Sequence, residues 1–316
     1  MKRFIILSIC LLSSWLGMSS VANAAGERLI AVIMANSQQR YLDTHAVFVE
    51  HAQAFCGDSC KIYVQTPNAD TISLRNSVRK AVALGADLIV TYGPSATLAA
   101  KAEHPPIPTL FADVYDPVKL GLVSAKNKVG RNMTGIRGDA PVQALFKYFV
   151  EATKPSEVVI LYDLNSPEGN LQKAVLEETG KKRGVAITSL EVEKLEDHVA
   201  LLEAIPVNAD GLFLASSEHS GSQLNQVIAF AAKRQLLVIT QRPGSADSGA
   251  FMVLETSAVE QGEKLAEMAE QVLAGKKISD IPMRKPHQVA FIVNVKVAKE
   301  YGVNIPFQTL SVASRI

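Results

Sequence analysis

Short apolar runs alternate with stretches of helical spacing along most of the chain, and each run ends abruptly at polar, glycine or proline residues. Residues 29–34 form one such run, and 41–55 then place Leu42, Ala46, Val49 and Ala52 at helical intervals. A run at 61–64 precedes 73–84, where Leu74, Val78, Ala81 and Val82 share a face. The run 88–90 stops at Tyr92-Gly93-Pro94-Ser95, where Gly93 and Pro94 break the strand and Ser95 can cap a helix through 97–101. The run 107–111 stops at Asp113-Val114-Tyr115-Asp116-Pro117. Strand, polar tip and helix in repetition predict a parallel α/β sheet, which gathers its ligand groups at the carboxyl ends of its strands.

The grammar changes at 129–138, where glycines at 130, 135 and 138 sit in extended chain, and then restarts. Glycine-rich extended chain between two α/β series reads as a crossover between lobes, or as a loop within one sheet. The second series comprises the strand 158–162, a tip at Asp163-Leu164-Asn165, and a helix opened by Ser166-Pro167-Glu168 as cap, first-turn proline and first-turn acid. Strands at 186–192, 211–215 and 237–240 follow, with helices around 199–205 and 223–234. Ser257 and Glu260 have capping-box spacing before a helix with Val259, Leu265, Ala269, Val272 and Leu273 inward, ended by Gly275. The tail at 278–293 reads as extended, and 296–301 as a last short helix. The expected organisation is two Rossmann-like lobes with parallel sheets joined by a hinge, 26–136 plus 255–283 and 137–254 plus 284–316.

The first residues read as an address. Met1-Lys2-Arg3 is a basic start, 4–16 an apolar core and Ala22-Asn23-Ala24 a small-residue cleavage site, so 1–24 is expected to be a cleaved secretory signal and the protein to be periplasmic. The single tryptophan, Trp15, leaves with that segment, as do Lys2 and Arg3. What remains is within about one charge of neutral, which offers no footprint for nucleic acid or an anionic membrane. A monomer is expected. Cys56 and Cys60, in Cys-Gly-Asp-Ser-Cys, are expected to form a disulfide, stabilising by about 2 kcal/mol on the loop-entropy estimate; redox, metal-binding and free-thiol readings stay open beside it.

None of the six histidines pairs at metal-site spacing, and no nucleophile elbow, Walker loop or dinucleotide fingerprint occurs, so neither an enzyme, a metal nor a cofactor is expected. The strand tips offer hydrogen-bonding groups instead. Asn36, Ser37 and Gln38 follow the first run, with Tyr41 just beyond; Gly93, Pro94 and Ser95 follow the third; Tyr115 and Asp116 follow the fourth. In the second series the candidates are Asn165, Ser217, Glu218, Arg242 and Glu255. Serine hydroxyls and helix-start N–H groups suit a carboxylate, Glu218, Asp116 or Glu255 an ammonium, and Tyr41 and Tyr115 could stack on a ring. Each of these residues also has a purely structural reading as a cap, a surface charge or a packed ring.

These residues carry a family resemblance. Ala86 to Gly93, Phe111-Ala112 with Asp116-Pro117-Val118 and Gly121-Leu122-Val123, Asn132-Met133-Thr134-Gly135, and Asn294, Ala298-Lys299 and Gly302 to Pro306 resemble the ABC-transporter substrate-binding family that includes tryptophan-binding proteins. The resemblance implies a type I periplasmic-binding fold with three crossovers, a small-molecule ligand held between the lobes and an ABC permease as partner. A sensor subunit presenting the solute to a membrane receptor or kinase, or a secreted α/β enzyme using Glu218 and His219, are the alternatives. Tyr115 before Asp116-Pro117, Ser216-Ser217, and Gln39 to Asp43 depart from the family's usual residues, so an aromatic amino acid does not carry over as the ligand.

Overall fold

The computed structural model describes residues 27–123, 132–192, 202–217 and 224–316; the expected signal 1–24, Gly130, Glu218, His219 and the beginning of the helix expected around 199–205 lie outside them. Five strands, β1 (Arg28–Met34), β2 (Cys60–Gln65), β3 (Leu88–Tyr92), β4 (Thr109–Val114) and β5 (Met133–Arg137), form an all-parallel sheet in the order β2-β1-β3-β4-β5. Every residue of β3 and β4 is buried, which is why they read as unbroken apolar runs rather than alternating ones. The helices α1 (Gln39–Cys56), α2 (Thr71–Ala83) and α3 (Pro94–Glu103) make the returns, and a disulfide joins Cys56 to Cys60 across the turn into β2.

Two local expectations are corrected here. Gly93, with φ of 86°, and not Ser95, is the N-cap of α3, because Pro94 takes the first helical position and needs no N–H partner there. The buried stripe of α1 is Tyr41, Thr44, Phe48 and Ala52, while Leu42 and Ala46 are exposed. The stripe is rotated because a second helix closes on α1 so tightly that a Cβ at Gly262 would lie 2.6 Å from Val47 and 2.7 Å from the Thr44 carbonyl.

The second sheet holds β6 (Glu157–Asp163), β7 (Ala186–Val192), β8 (Gly211–Leu214), β9 (Leu237–Thr240), β10 (Met252–Thr256), β11 (Val289–Val293) and β12 (Ser314–Arg315) in the order β12-β11-β10-β9-β8-β6-β7. Its pairs are parallel except β10 with β11. Successive residues of β6 point into different cores, Val158, Ile160 and Tyr162 into one and Val159 and Leu161 into the other, so both faces are covered. The helices α4 (Val142–Thr153), α5 (Pro167–Arg183) and α6 (Leu224–Lys233) belong to this half.

The chain passes between the two layers three times. It leaves β5 at Gly138 for α4, leaves β10 at Ser257 for α7 (Ala258–Leu273), and returns after Arg284 to β11. Leu265, Ala269, Ile281 and Met283 all pack in the first core, which places the 258–283 segment with the first sheet. Glu255, expected to begin that return, is still within β10. The stretch expected to be extended from 278 begins with a single 3-10 turn, Ile278–Asp280, and the tail adds α8 (Val295–Glu300) and α9 (Phe307–Val312).

The capping box at Ser257 is half formed. Its hydroxyl accepts from the Glu260 N–H at 3.2 Å, but the Glu260 carboxylate turns to the third passage, accepting from the backbone N–H of His287 and of Gln288 at 2.9 and 2.7 Å. Burial pushes that carboxyl up, and these bonds more than reverse it, so it sits below its ordinary value. Val259, expected inward, is 53% exposed, because Glu260 and Gln261 take the buried side of the first turn.

Candidate functional site

In the first sheet the order reverses at β1, whose successors β2 and β3 lie on opposite sides of it; in the second it reverses at β6 in the same way. A parallel sheet opens a crevice beyond the strand ends at such a point, since the adjoining helices run to opposite faces. In this protein the two switch points meet. Gln38, just after β1, donates through Nε2 to the carbonyl of Ser217, just after β8, at 2.6 Å. Arg40, in the first turn of α1, donates through an Nη to Glu168, in the first turn of α5, at 3.0 Å.

Arg40 is the centre of this junction. Its Nε lies 2.9 Å from Asp113 Oδ2, yet neither atom has hydrogen-bonding geometry, so that contact is one of charge alone. Its guanidinium also donates to the Tyr41 hydroxyl at 3.0 Å. Burial would lower the guanidinium pKa, but Asp113 and Glu168 hold it well above the ordinary value. For Asp113, burial and the nearby Glu168 outweigh Arg40 and its carboxyl is raised. Asp113 can sit there because β4 breaks register with β5 between Phe111 and Val114, putting Asp113 at a φ of 55°.

Amide side chains tie the charges to the passages. Gln172 donates to Ser216 and to Gln241, each at 3.0 Å, and accepts from the Ser216 N–H at 2.7 Å. Gln241 donates to the carbonyl of Ala140 in the first passage at 2.8 Å. On the other side Gln261 accepts from the Asp113 N–H at 2.8 Å and donates to Thr256, beside the second passage, at 3.1 Å. Next to this network lies a cavity of about 510 Å³ whose walls come from both halves, Arg40, Asp43, Asp113 and Gln261 from one and Glu168, Gln241 and Glu255 from the other.

The residues expected from the strand tips have unequal places. Gln38 and Ser217 bond to each other, and the Ser217 hydroxyl donates to Asp163 at 2.7 Å. Asn36 accepts from the Gln38 N–H at 2.8 Å, and Ser37 is exposed. Glu255 lines the cavity, accepts from Gly244 at 3.3 Å, and has its carboxyl raised by burial first and by Asp247 second. Arg242 is close enough to Arg40 and Glu168 to feel both; burial, then the like charge of Arg40, pull its pKa down to about 10.

Among the described residues, Glu255 is the one expected candidate that lines the cavity. Tyr41 is fully buried in the first core, because it belongs to the inward stripe of α1. Tyr115 packs into an apolar cluster of the second sheet, so it is a contact between the halves and not an open ring. Asp116 accepts from the Lys119 N–H at 3.1 Å in the turn after β4, at a φ of 39°, which is a capping role. Asn165 is exposed at its tip, and Gly93, Pro94 and half-buried Ser95 form the start of α3.

The family profile described as ABC transporter substrate binding protein matches residues 53–316. The chain belongs to that family. This substrate-binding protein is 24% identical over 244 residues to the tyrosine-binding protein of Clostridioides difficile (strain R20291), covering 77% of this chain and 71% of the relative. Among solved structures it is similar to the ABC domain in complex with L-Trp from Streptococcus pneumonia, with a TM-score of 0.84 and 19% identity over 92% of this chain and 99% of the other. It also resembles an ABC transporter solute binding protein from Burkholderia graminis C4D1M in complex with D-arabinose, with a TM-score of 0.65 and 18% identity over 85% and 96% of the two chains. These structural likenesses speak for the fold. Proteins of the family bind small-molecule ligands and work with ABC permeases.

Of the junction residues in this substrate-binding protein, Gln38 and Ser217 are legible as strand-tip residues, but Arg40 and Glu168 are not. Arg40 and Glu168 look like surface charges on two helix starts, and the partner of each lies 128 residues away. The one signal available was positional: both occupy the first turn after a strand at which the order of its sheet reverses.

Proposed function

We propose that this chain is the periplasmic solute-binding component of an ABC importer and that it captures a small polar amino acid, or a related metabolite, in the interlobe cleft by hinge closure. The carrying observation is the meeting of the two switch points through Gln38–Ser217 and Arg40–Glu168 beside a two-walled cavity. A solute that touches both walls favours the closed arrangement by the contacts it gains there, which is a shift of population and needs no chemistry.

The tyrosine-binding relative and the tryptophan complex support an amino acid as the ligand class. The lining supports a polar one, since its apolar members are aliphatic or proline and no ring faces the space among the described residues. In this reading Glu255, in the cavity wall, receives the ammonium. A thermal-shift screen of amino acids, amines, sugars, nucleosides and small carboxylates tests it. A polar amino acid at a hundred times its dissociation constant is expected to stabilise by about 2.7 kcal/mol. Glu255→Gln should weaken that ligand about tenfold, the loss of one charge-assisted contact. A screen in which only sugars or only aromatic amino acids raise the melting temperature contradicts the ligand class.

A further inference from the structure

The contacts that cross the cleft are made by protein groups on both sides, so they stabilise closure whatever the solute. Gln38 and Arg40 stand two residues apart at the start of one helix and reach two different tips of the other half, the Ser217 carbonyl and the Glu168 carboxylate. The cross-cleft partner of Arg40 has hydrogen-bond geometry, and its same-side partner, Asp113, does not. Arg40 is therefore shared between the halves, hydrogen-bonded to Glu168 across the cleft and to Tyr41 on its own side, with Asp113 beside it as a counter-charge. Glu168 is fixed in turn by Gln172, which reaches it at 3.3 Å and also holds Ser216 and Gln241. Through Gln241 on Ala140, and through Asp113 and Gln261 on Thr256, the junction connects to two of the three passages about which the halves would turn.

We infer that Gln38 and Arg40 form a built-in closure latch, Arg40 acting as a positioning residue that keeps part of the population closed before any solute arrives. The inference rests on the hinge-closure reading above, and extends it to what sets the affinity. Opening moves Glu168 into water and leaves Arg40 with Asp113, so an ion pair is exchanged for hydration and neither state holds a stranded charge. The apparent dissociation constant equals the intrinsic one divided by the closed fraction, so a latch tightens binding without touching the ligand. It also predicts that loss of the latch weakens every ligand of the protein by the same factor, which a lost ligand contact would not.

The test needs no ligand. Spin labels at exposed Ile72, at the start of α2, and exposed Leu164, at the tip after β6, report the separation of the two rims. In solute-free wild-type protein the distance distribution is expected to contain a short component of appreciable weight. Glu168→Gln keeps the shape and an amide contact for Gln172 but removes the charge, and it should reduce that component about tenfold. Gln38→Ala, at a half-buried side chain, should act in the same direction with a smaller change and a cooperative melt. A solute-free distribution that is wholly long in the wild type, or identical in wild type and both variants, overturns the latch. Neither result bears on whether a solute closes the protein, which is read separately on adding ligand.

Discussion

Replacing Arg40 with methionine is expected to lower the folding stability by about 3–5 kcal/mol, the cost of stranding buried charge. The size follows from position, since the Arg40, Asp113 and Glu168 side chains are 12%, 5% and 5% exposed and each relies on the others for its charge. Methionine fills the space and supplies no donor, so Asp113 and Glu168 lose their shared counter-charge. The loss should depend on pH in a definite sense. The Asp113 carboxyl already sits above its ordinary value, burial outweighing the pull of Arg40, and removing Arg40 raises it further. A carboxyl whose folded pKa exceeds its unfolded pKa adds stability below the unfolded value, and that stability is lost as pH rises through the folded one. Urea melts should therefore show the deficit of the variant narrowing from about pH 7 to about pH 4.5, as Asp113 takes up its proton in the folded protein. A deficit that widens over that range would place the damage elsewhere than in the stranded carboxylates.

Gly138→Ala is the second substitution with a large expected effect, and here the cause is steric. A Cβ at Gly138 would overlap Asp113 Oδ1 and lie 2.7 Å from the Asp113 Cα and 2.8 Å from its carbonyl carbon. Only the first of these atoms could move aside; the others are backbone, held by the bond from the Asp113 N–H to Gln261 and by the bond from the Gly138 N–H to the Val114 carbonyl. Something must shift at the very point where the chain leaves the first sheet for α4. Overpacking of this kind costs about 2 kcal/mol. It also displaces Asp113 relative to Arg40, so the melting temperature and the affinity for any ligand identified by the screen should fall together. Gly184→Ala serves as the control, since a Cβ there meets nothing within 4 Å and the strain comes only from its φ of 70°. If Gly138→Ala leaves affinity as untouched as the control does, the first passage does not transmit to the cleft.

The framework of the fold was legible in the chain because burial on both faces writes each parallel strand as an unbroken apolar run and each tip as a break. Leu88 to Val90 and Val158 to Tyr162 are examples. Helix faces were less legible. The Leu42–Ala46–Val49 stripe was a fair reading of α1 alone, and it was rotated by the close approach of Gly262, more than 200 residues on in the chain. The capping box at Ser257 was legible as a motif, but Glu260 bonds to the third passage, which local spacing could not reveal.

The site was the least legible part, and for a common reason. Tip residues that look available in sequence are consumed by structure: Tyr41 by a core, Tyr115 by the facing half, Asp116 by its own turn. The residues that join the halves, Arg40 and Glu168, are charges whose burial depends on one another, and nothing local distinguishes them from solvated ones. Gln38 and Ser217 were reachable because a strand tip at a reversal of sheet order is where opposite halves meet.

The most direct measurement is the distance distribution between labels at Ile72 and Leu164 with and without the solute that most raises the melting temperature. The account predicts two populations without solute and collapse onto the shorter one when solute saturates, with a midpoint equal to the dissociation constant from calorimetry. A distribution that does not change while calorimetry shows saturated binding would contradict it, because the solute would then be held without bringing the two halves together.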